Sequence, residues 1–132
     1  MASDPVKALY LDTHILVWLY QDGAERLTVQ GQAAIERAEH LLISPMVELE
    51  LSYLQEIGRI TVGGETILDT LRRDLGLETC LQPFAAVVGE AVKLNWTRDP
   101  FDRLIVAQAA HRSAALLTAD QRIQQHYPGA MW

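Results

Sequence analysis

Val6-Lys7-Ala8-Leu9-Tyr10-Leu11-Asp12-Thr13-His14 runs into Ile15-Leu16-Val17-Trp18-Leu19-Tyr20, and the reading of this stretch decides the fold. An apolar run with β-branched and aromatic members that ends in an acid predicts a buried strand over 6–11, with Asp12 at its C-terminal end. The run from Ile15 to Tyr20 has no polar face, which predicts a buried helix or one that meets a partner only on assembly. The same succession returns twice. Leu41-Leu42-Ile43 is stopped by Ser44-Pro45, and Ala114-Ala115-Leu116-Leu117-Thr118 is followed by Asp120 and a short polar helix to His126. Strands alternating with helices predict an α/β fold, a central mostly parallel sheet in right-handed βαβ units with helices on both faces. The strand over 114–118 is the last one expected.

Between these landmarks Thr28 is placed to cap a helix through Glu39, with Ala33, Ala34, Ile35 and Ala38 inward. Ser44 as N-cap and Pro45 at the first position start a helix over Met46–Ile57. Counted from Glu50, Met46, Val47, Tyr53, Leu54 and Ile57 fall at helical spacing, so Glu50 is expected mid-face in a buried stripe, with Glu48 outward. A carboxylate there needs a cation or a strong donor, or an arginine of the core as a purely structural partner. Gly58 stops this helix, 67–75 forms another closed by Gly76, and 77–81 alternates as a short strand. Pro83 then opens a helix through Leu94.

Arg98-Asp99-Pro100-Phe101-Asp102-Arg103 is a further helix entrance, with Asp99 as N-cap and Pro100 at the first position. Asp102 shares a face with Ile105, Val106 and Ala109 and so points toward the core side. Each acid has a plain structural account: Asp12 as a turn residue, Asp99 and Asp120 as caps, and Asp102 as an answer to the helix dipole. Four acids converging on the C-terminal strand ends would nevertheless repel one another unless hard cations lay between them. Oxygen ligands point to Mg²⁺ or Mn²⁺.

Composition sets outer bounds. Hydrophobic residues make up 49% and charged residues 21%, and 132 residues suffice for one real core, so a single domain over 1–132 is expected after a loose leader at 1–5. No run is long enough to cross a membrane, and lone Cys80 fits a reducing compartment as a buried thiol, so a soluble, cytoplasmic protein is expected. The net charge of −6 argues against a general nucleic-acid coat, which leaves only a local site for such a partner. His14, His40, His111 and His126 lack metalloprotease spacing, and His14 reads as a surface or packing residue. Trp18, Trp96 and Trp132 read as core or interface rather than base-stacking platforms.

Leu11-Asp12-Thr13, Ser44-Pro45 with Glu50 behind it, Asp99-Pro100-Phe101-Asp102-Arg103 and Leu117-Thr118-Ala119-Asp120 stand in an order that resembles the PIN-domain ribonucleases, specifically VapC-type toxins of toxin–antitoxin pairs. The resemblance spans nearly the whole chain. It implies a PIN-like three-layer fold and a metal-dependent endoribonuclease in which Asp12, Glu50, Asp102 and Asp120 are the catalytic, metal-holding quartet. Asp99 would be an accessory acid, Thr13, Ser44 and Thr118 would position the acids, and Arg103 matches the motif's basic residue. Mg²⁺ or Mn²⁺ is the implied cofactor. RNA is the implied substrate, and a VapB-like antitoxin and a second copy in a homodimer are the implied partners, with no membrane. Arg98 and Arg103 are candidates for the RNA backbone, though Arg103 pairing with an acid is an equal alternative. The run Ile15–Tyr20 would suit antitoxin contacts or plain burial.

Other readings are a PIN-fold RNA-processing nuclease outside a toxin–antitoxin pair and an inactive interaction module. A phosphoacceptor receiver domain would need paired acids after the first strand and a late lysine, but the lysines are Lys7 and Lys93 alone. An Asp-x-Asp phosphatase fails because position 14 is His.

Overall fold

Residues 7–132 are described by the computed structural model, so Val6 and the leader expected at 1–5 lie outside the described residues. Five strands form one sheet: β1 (Ala8–Leu11), β2 (His40–Ile43), β3 (Glu78–Thr79), β4 (Ala115–Leu117) and β5 (Ala130–Met131). Their order is β3-β2-β1-β4-β5 and every neighbouring pair is parallel. Seven helices flank the sheet: α1 (Thr13–Asp22), α2 (Val29–Arg37), α3 (Pro45–Glu56), α4 (Gly64–Leu75), α5 (Phe84–Val92), α6 (Pro100–His111) and α7 (Gln121–His126). The parallel α/β expectation holds. Strand β5 was not expected: two residues carry no period of their own, and they become a strand only by pairing Ala130 with Leu116 and Met131 with Leu117.

The central position of β1 explains its composition. Leu9, Tyr10 and Leu11 are almost wholly buried because sheet neighbours lie on both sides and helices cover the faces. In α1, Ile15, Leu16 and Val17 are buried, while Trp18, Leu19 and Tyr20 are half-buried against the same core. Packing within the chain thus accounts for the apolar run from Ile15 to Tyr20.

Helix α3 departs from the expected stripe. Its buried residues are Val47, Glu50, Leu51 and Leu54, whereas Tyr53 and Ile57 are 46% and 48% exposed. The inward arc is turned toward Leu51 because α4 begins against it. A Cβ on Gly64 would lie 2.9 Å from the Leu51 Cβ, so only glycine permits that approach. Glu50 therefore sits at the edge of the buried arc rather than its middle, between the core and an open side.

Connections from β1 lead toward β2 and β3, while the chain returns to place β4 on the other side of β1. The boundary between β1 and β4 is where strand order reverses, and in open parallel sheets the crevice at such a point receives ligands.

Candidate active site

Three of the sequence-predicted acids are helix N-caps at this edge of the sheet. Asp12 follows β1 and accepts the Thr13 N–H at 2.8 Å, opening α1. Asp120 follows β4 and accepts the N–H groups of Arg122 and Ile123 at 2.8 and 3.1 Å, opening α7. Asp99 accepts the N–H groups of Phe101 and Asp102 at 2.8 and 3.4 Å, opening α6 with Pro100 at its first position. Short polar side chains prefer these positions because they satisfy orphan donors, and the positive ends of the helices favour negative charge there. The capping account is thus correct for all three, and for Asp12 it replaces the simpler turn reading.

Capping leaves oxygens for other work. Asp12 spends Oδ1 on the cap, and its Oδ2 accepts the Thr118 hydroxyl at 2.7 Å, bridging the ends of β1 and β4. Thr118 in turn accepts the Asp120 N–H at 3.1 Å. The Thr13 hydroxyl donates to Glu50 Oε1 at 2.5 Å, so the donor expected for this acid is a threonine and not a core arginine. Thr13 and Thr118 are fully buried, Asp12 is 6% exposed and Glu50 9%. One hydrogen-bonded chain therefore joins Glu50, Thr13, Asp12, Thr118 and Asp120. Glu48 is exposed, as expected.

Asp102 is half-buried in the first turn of α6, on the side that carries buried Ile105, Val106 and Ala109. Burial, followed by the charges of Asp99, Asp12, Asp120 and Glu50, pushes its carboxyl up to about 7. Burial also raises Asp12 and Glu50, against the hydrogen bonds from Thr118 and Thr13 that lower them. His14 beside them is exposed and lies near the Trp18 ring, with 6.4 Å between centroids. Asp102 thus feels the charges of Asp12, Glu50 and Asp120 together, and none of the four forms an ion pair among the described residues.

The donor chemistry fits a hard divalent cation: carboxylate oxygens of one sign at one edge of the sheet, with too few protein donors to neutralise them. The acids stand apart, however. No three carboxylate, imidazole or thiolate side chains among the described residues form a ready-made cage for an ion.

The remaining predicted residues do other things. Arg103 pairs with no acid among the described residues: its guanidinium donates to the carbonyls of Ala91 and Val92 at 3.0–3.2 Å and so closes the C-terminus of α5. Arg98 lines a shallow groove between α5 and α6 beside Arg103. Ser44 caps α3 through the Met46 N–H and donates to buried Gln108 at 3.1 Å, which ties the helix bearing Glu50 to the helix bearing Asp102. Gln108 was missed by sequence reasoning, as was Gln82, whose amide donates to Tyr10 Oη, Cys80 Sγ and the Gln108 carbonyl. A glutamine inside an alanine-rich apolar helix was the signal available for the first.

A family model described as "PIN domain" matches residues 9–128. Ribonuclease VapC22 of Mycobacterium tuberculosis is 30% identical over 122 residues, covering 88% of this chain and 89% of that protein. Among solved structures, a chain of the DNA-bound VapBC2 complex of Rickettsia felis superposes with a TM-score of 0.67 at 19% identity, over 94% of this chain and 96% of that one. A chain of a toxin–antitoxin complex from Klebsiella pneumoniae gives 0.64 at 18%, over 96% and 97%. These two likenesses concern the fold, while the matched motif order and the VapC22 identity concern descent. The acids at the β1–β4 boundary lie inside the matched span, and the chain belongs to the PIN-domain family as a homologue of the VapC ribonucleases.

Proposed function

We propose that this chain is a metal-dependent endoribonuclease toxin, a single PIN-like domain that hydrolyses RNA phosphodiester bonds and is inhibited by a VapB-like antitoxin. The observation that carries this reading is the excess of like charge at the sheet edge, where burial and four neighbouring acids raise Asp102 to about 7. A structural cluster gains nothing from that repulsion, whereas a cation site requires it. Asp12, Glu50, Asp102 and Asp120 would hold Mg²⁺ or Mn²⁺, which when bound activates water and shields the phosphate. Thr118 and Thr13 keep Asp12 and Glu50 in place, and Asp99 fixes the start of α6 so that Asp102 faces the pocket.

Two family features enter with this reading. The VapBC complexes among the solved structures support an antitoxin partner. Tyr53 beside Phe101 at 5.6 Å with a tilt of 32°, together with exposed Leu49 on α3, Ile57 at its C-cap, and Phe84, Val88 and Val92 on α5, gives the apolar surface that a homodimer would cover. Among the described residues no helix is long and apolar enough to cross a membrane. The cytoplasm, where RNA is reached, is the proposed location.

Cleavage of single-stranded RNA by the purified chain tests the reading directly. Turnover is expected with Mg²⁺ or Mn²⁺, to vanish on chelation, and to be lost in Asp12→Asn. Cleavage by Asp12→Asn in metal-free buffer would refute the assigned site. Toxicity on expression, relieved by co-expressing a VapB-like antitoxin if one is encoded beside it, separates the toxin from a general RNA-processing nuclease.

A further inference from the structure

We propose that Trp96, His126 and Arg122 form a seat for one nucleotide of the RNA strand beside the acidic pocket, with a base stacked on His126 and a phosphate on Arg122. This rests on the endoribonuclease reading above. The rings of Trp96 and His126 lie 5.0 Å apart with only 6° between their planes. Trp96 is half-buried against the core and His126 is exposed, so the pair is a backed platform with an accessible outer ring. The alternative aromatic pair, Trp18 and Trp132, is tilted by 52°, and Arg26 already lies over Trp18 at 4.4 Å.

The platform joins the segments that carry two of the pocket's acids. Trp96 precedes Thr97, whose hydroxyl accepts the Asp99 N–H at the entrance to α6, while His126 ends the helix that Asp120 caps. Arg122 stands four residues before His126 in α7 and therefore on the same face. Its guanidinium has no ion-pair partner among the described residues, whereas Arg26, Arg72 and Arg73 face carboxylates. A chain of net charge −6 that receives an anionic strand needs a local cation and a stacking surface to offset the repulsion of its own acids. Stacking is tolerant of base identity, so the seat would position the strand without fixing its sequence.

Binding of a fluorescein-labelled single-stranded RNA, measured in an Asp12→Asn background so that the strand stays intact, tests the seat. Arg122→Ala with His126→Ala is expected to weaken binding about tenfold or more and to flatten the salt slope by about 0.7, the share of one phosphate contact on a single strand. His126→Phe should retain binding, and Arg59→Ala, an equal charge change in the α3–α4 turn, should leave it unchanged. In the chain with Asp12 restored, the double variant should raise KM and leave kcat and Mn²⁺ affinity alone. An unchanged Kd, salt slope and KM would overturn the seat while leaving the nuclease reading intact. Intact RNA binding with weakened antitoxin inhibition would overturn it in favour of a protein-contact surface. A wild-type chain that cleaves no RNA would remove both.

Discussion

Two buried polar clusters share strand β1 and differ in one respect. Below Tyr10, the network of Tyr10, Cys80, Gln82, Gln108 and Ser44 holds no carboxylate, its members serve as donors and acceptors to one another over 2.9–3.1 Å, and the Arg112 guanidinium reaches Cys80 Sγ at 4.0 Å from its margin. Two residues on, Asp12 opens a cluster of acceptors with only threonine hydroxyls and backbone N–H groups to answer them. The network at Tyr10 leaves only Gln82 Oε1 buried without a partner and so fastens helices to the sheet. The acidic one cannot balance its own charge, and on the function proposed above a bound cation supplies the missing positive charge. Imbalance, more than burial, marks the cluster proposed as the active site.

The largest effect expected from this contrast is at Asp102. Asp102→Asn should lower metal-dependent cleavage by about three orders of magnitude, the scale of losing a group that stabilises the transition state. Without metal at pH 8 the same variant should melt a few degrees higher, because a repelled charge is gone. A variant that loses activity and stability together would place Asp102 in the fastening class. Thr118→Val removes the donor to Asp12 Oδ2 and should reduce activity and Mn²⁺ affinity about 10–100-fold, as for partners that orient metal ligands.

Acidity supplies the third test. The Asp102 carboxyl sits at about 7 in the folded chain against an ordinary 3.8, so the folded state holds the proton more tightly than the unfolded state does. Its contribution to stability is then complete below about 4 and is lost as pH rises through about 7. The metal-free protein should accordingly lose melting temperature from this group between pH 4 and pH 8, and saturating Mg²⁺ should flatten that dependence. Mn²⁺ affinity should rise with pH up to about 7 and then level off, since cation and proton compete for the carboxylate. The smallest effect belongs to the cluster at Tyr10. Gln108→Leu strands the Ser44 hydroxyl and should reduce stability by about 1–3 kcal/mol in denaturant titration, with the metal dependence of cleavage unchanged.

Sequence alone went far at the helix entrances. Thr28, Ser44, Asp99 and Asp120 each stand at the start of the helix they were expected to cap, and Gly76 closes α4 in the left-handed conformation at φ 69°, whereas the capping role of Asp12 was not read from the sequence. Caps and stops are decided within a turn of chain, so their chemistry is written locally. The candidate acids were legible for the same reason, because their motifs are short and their strand ends were predictable.

What the sequence determined by itself is the alternation of strands and helices, the residues that begin and end them, and the set of acids available for chemistry. Tertiary structure decided the rest. Strand β5 exists only because β4 offers it a partner, Arg103 turned to the end of α5 rather than to an acid, and α3 rotated toward Leu51 because Gly64 lets α4 come close. The threonine between Asp12 and Asp120 and the one beside Glu50 acquired their partners from 106 and 37 residues away. Local propensity cannot encode such pairings, since they depend on which faces meet once the sheet has closed.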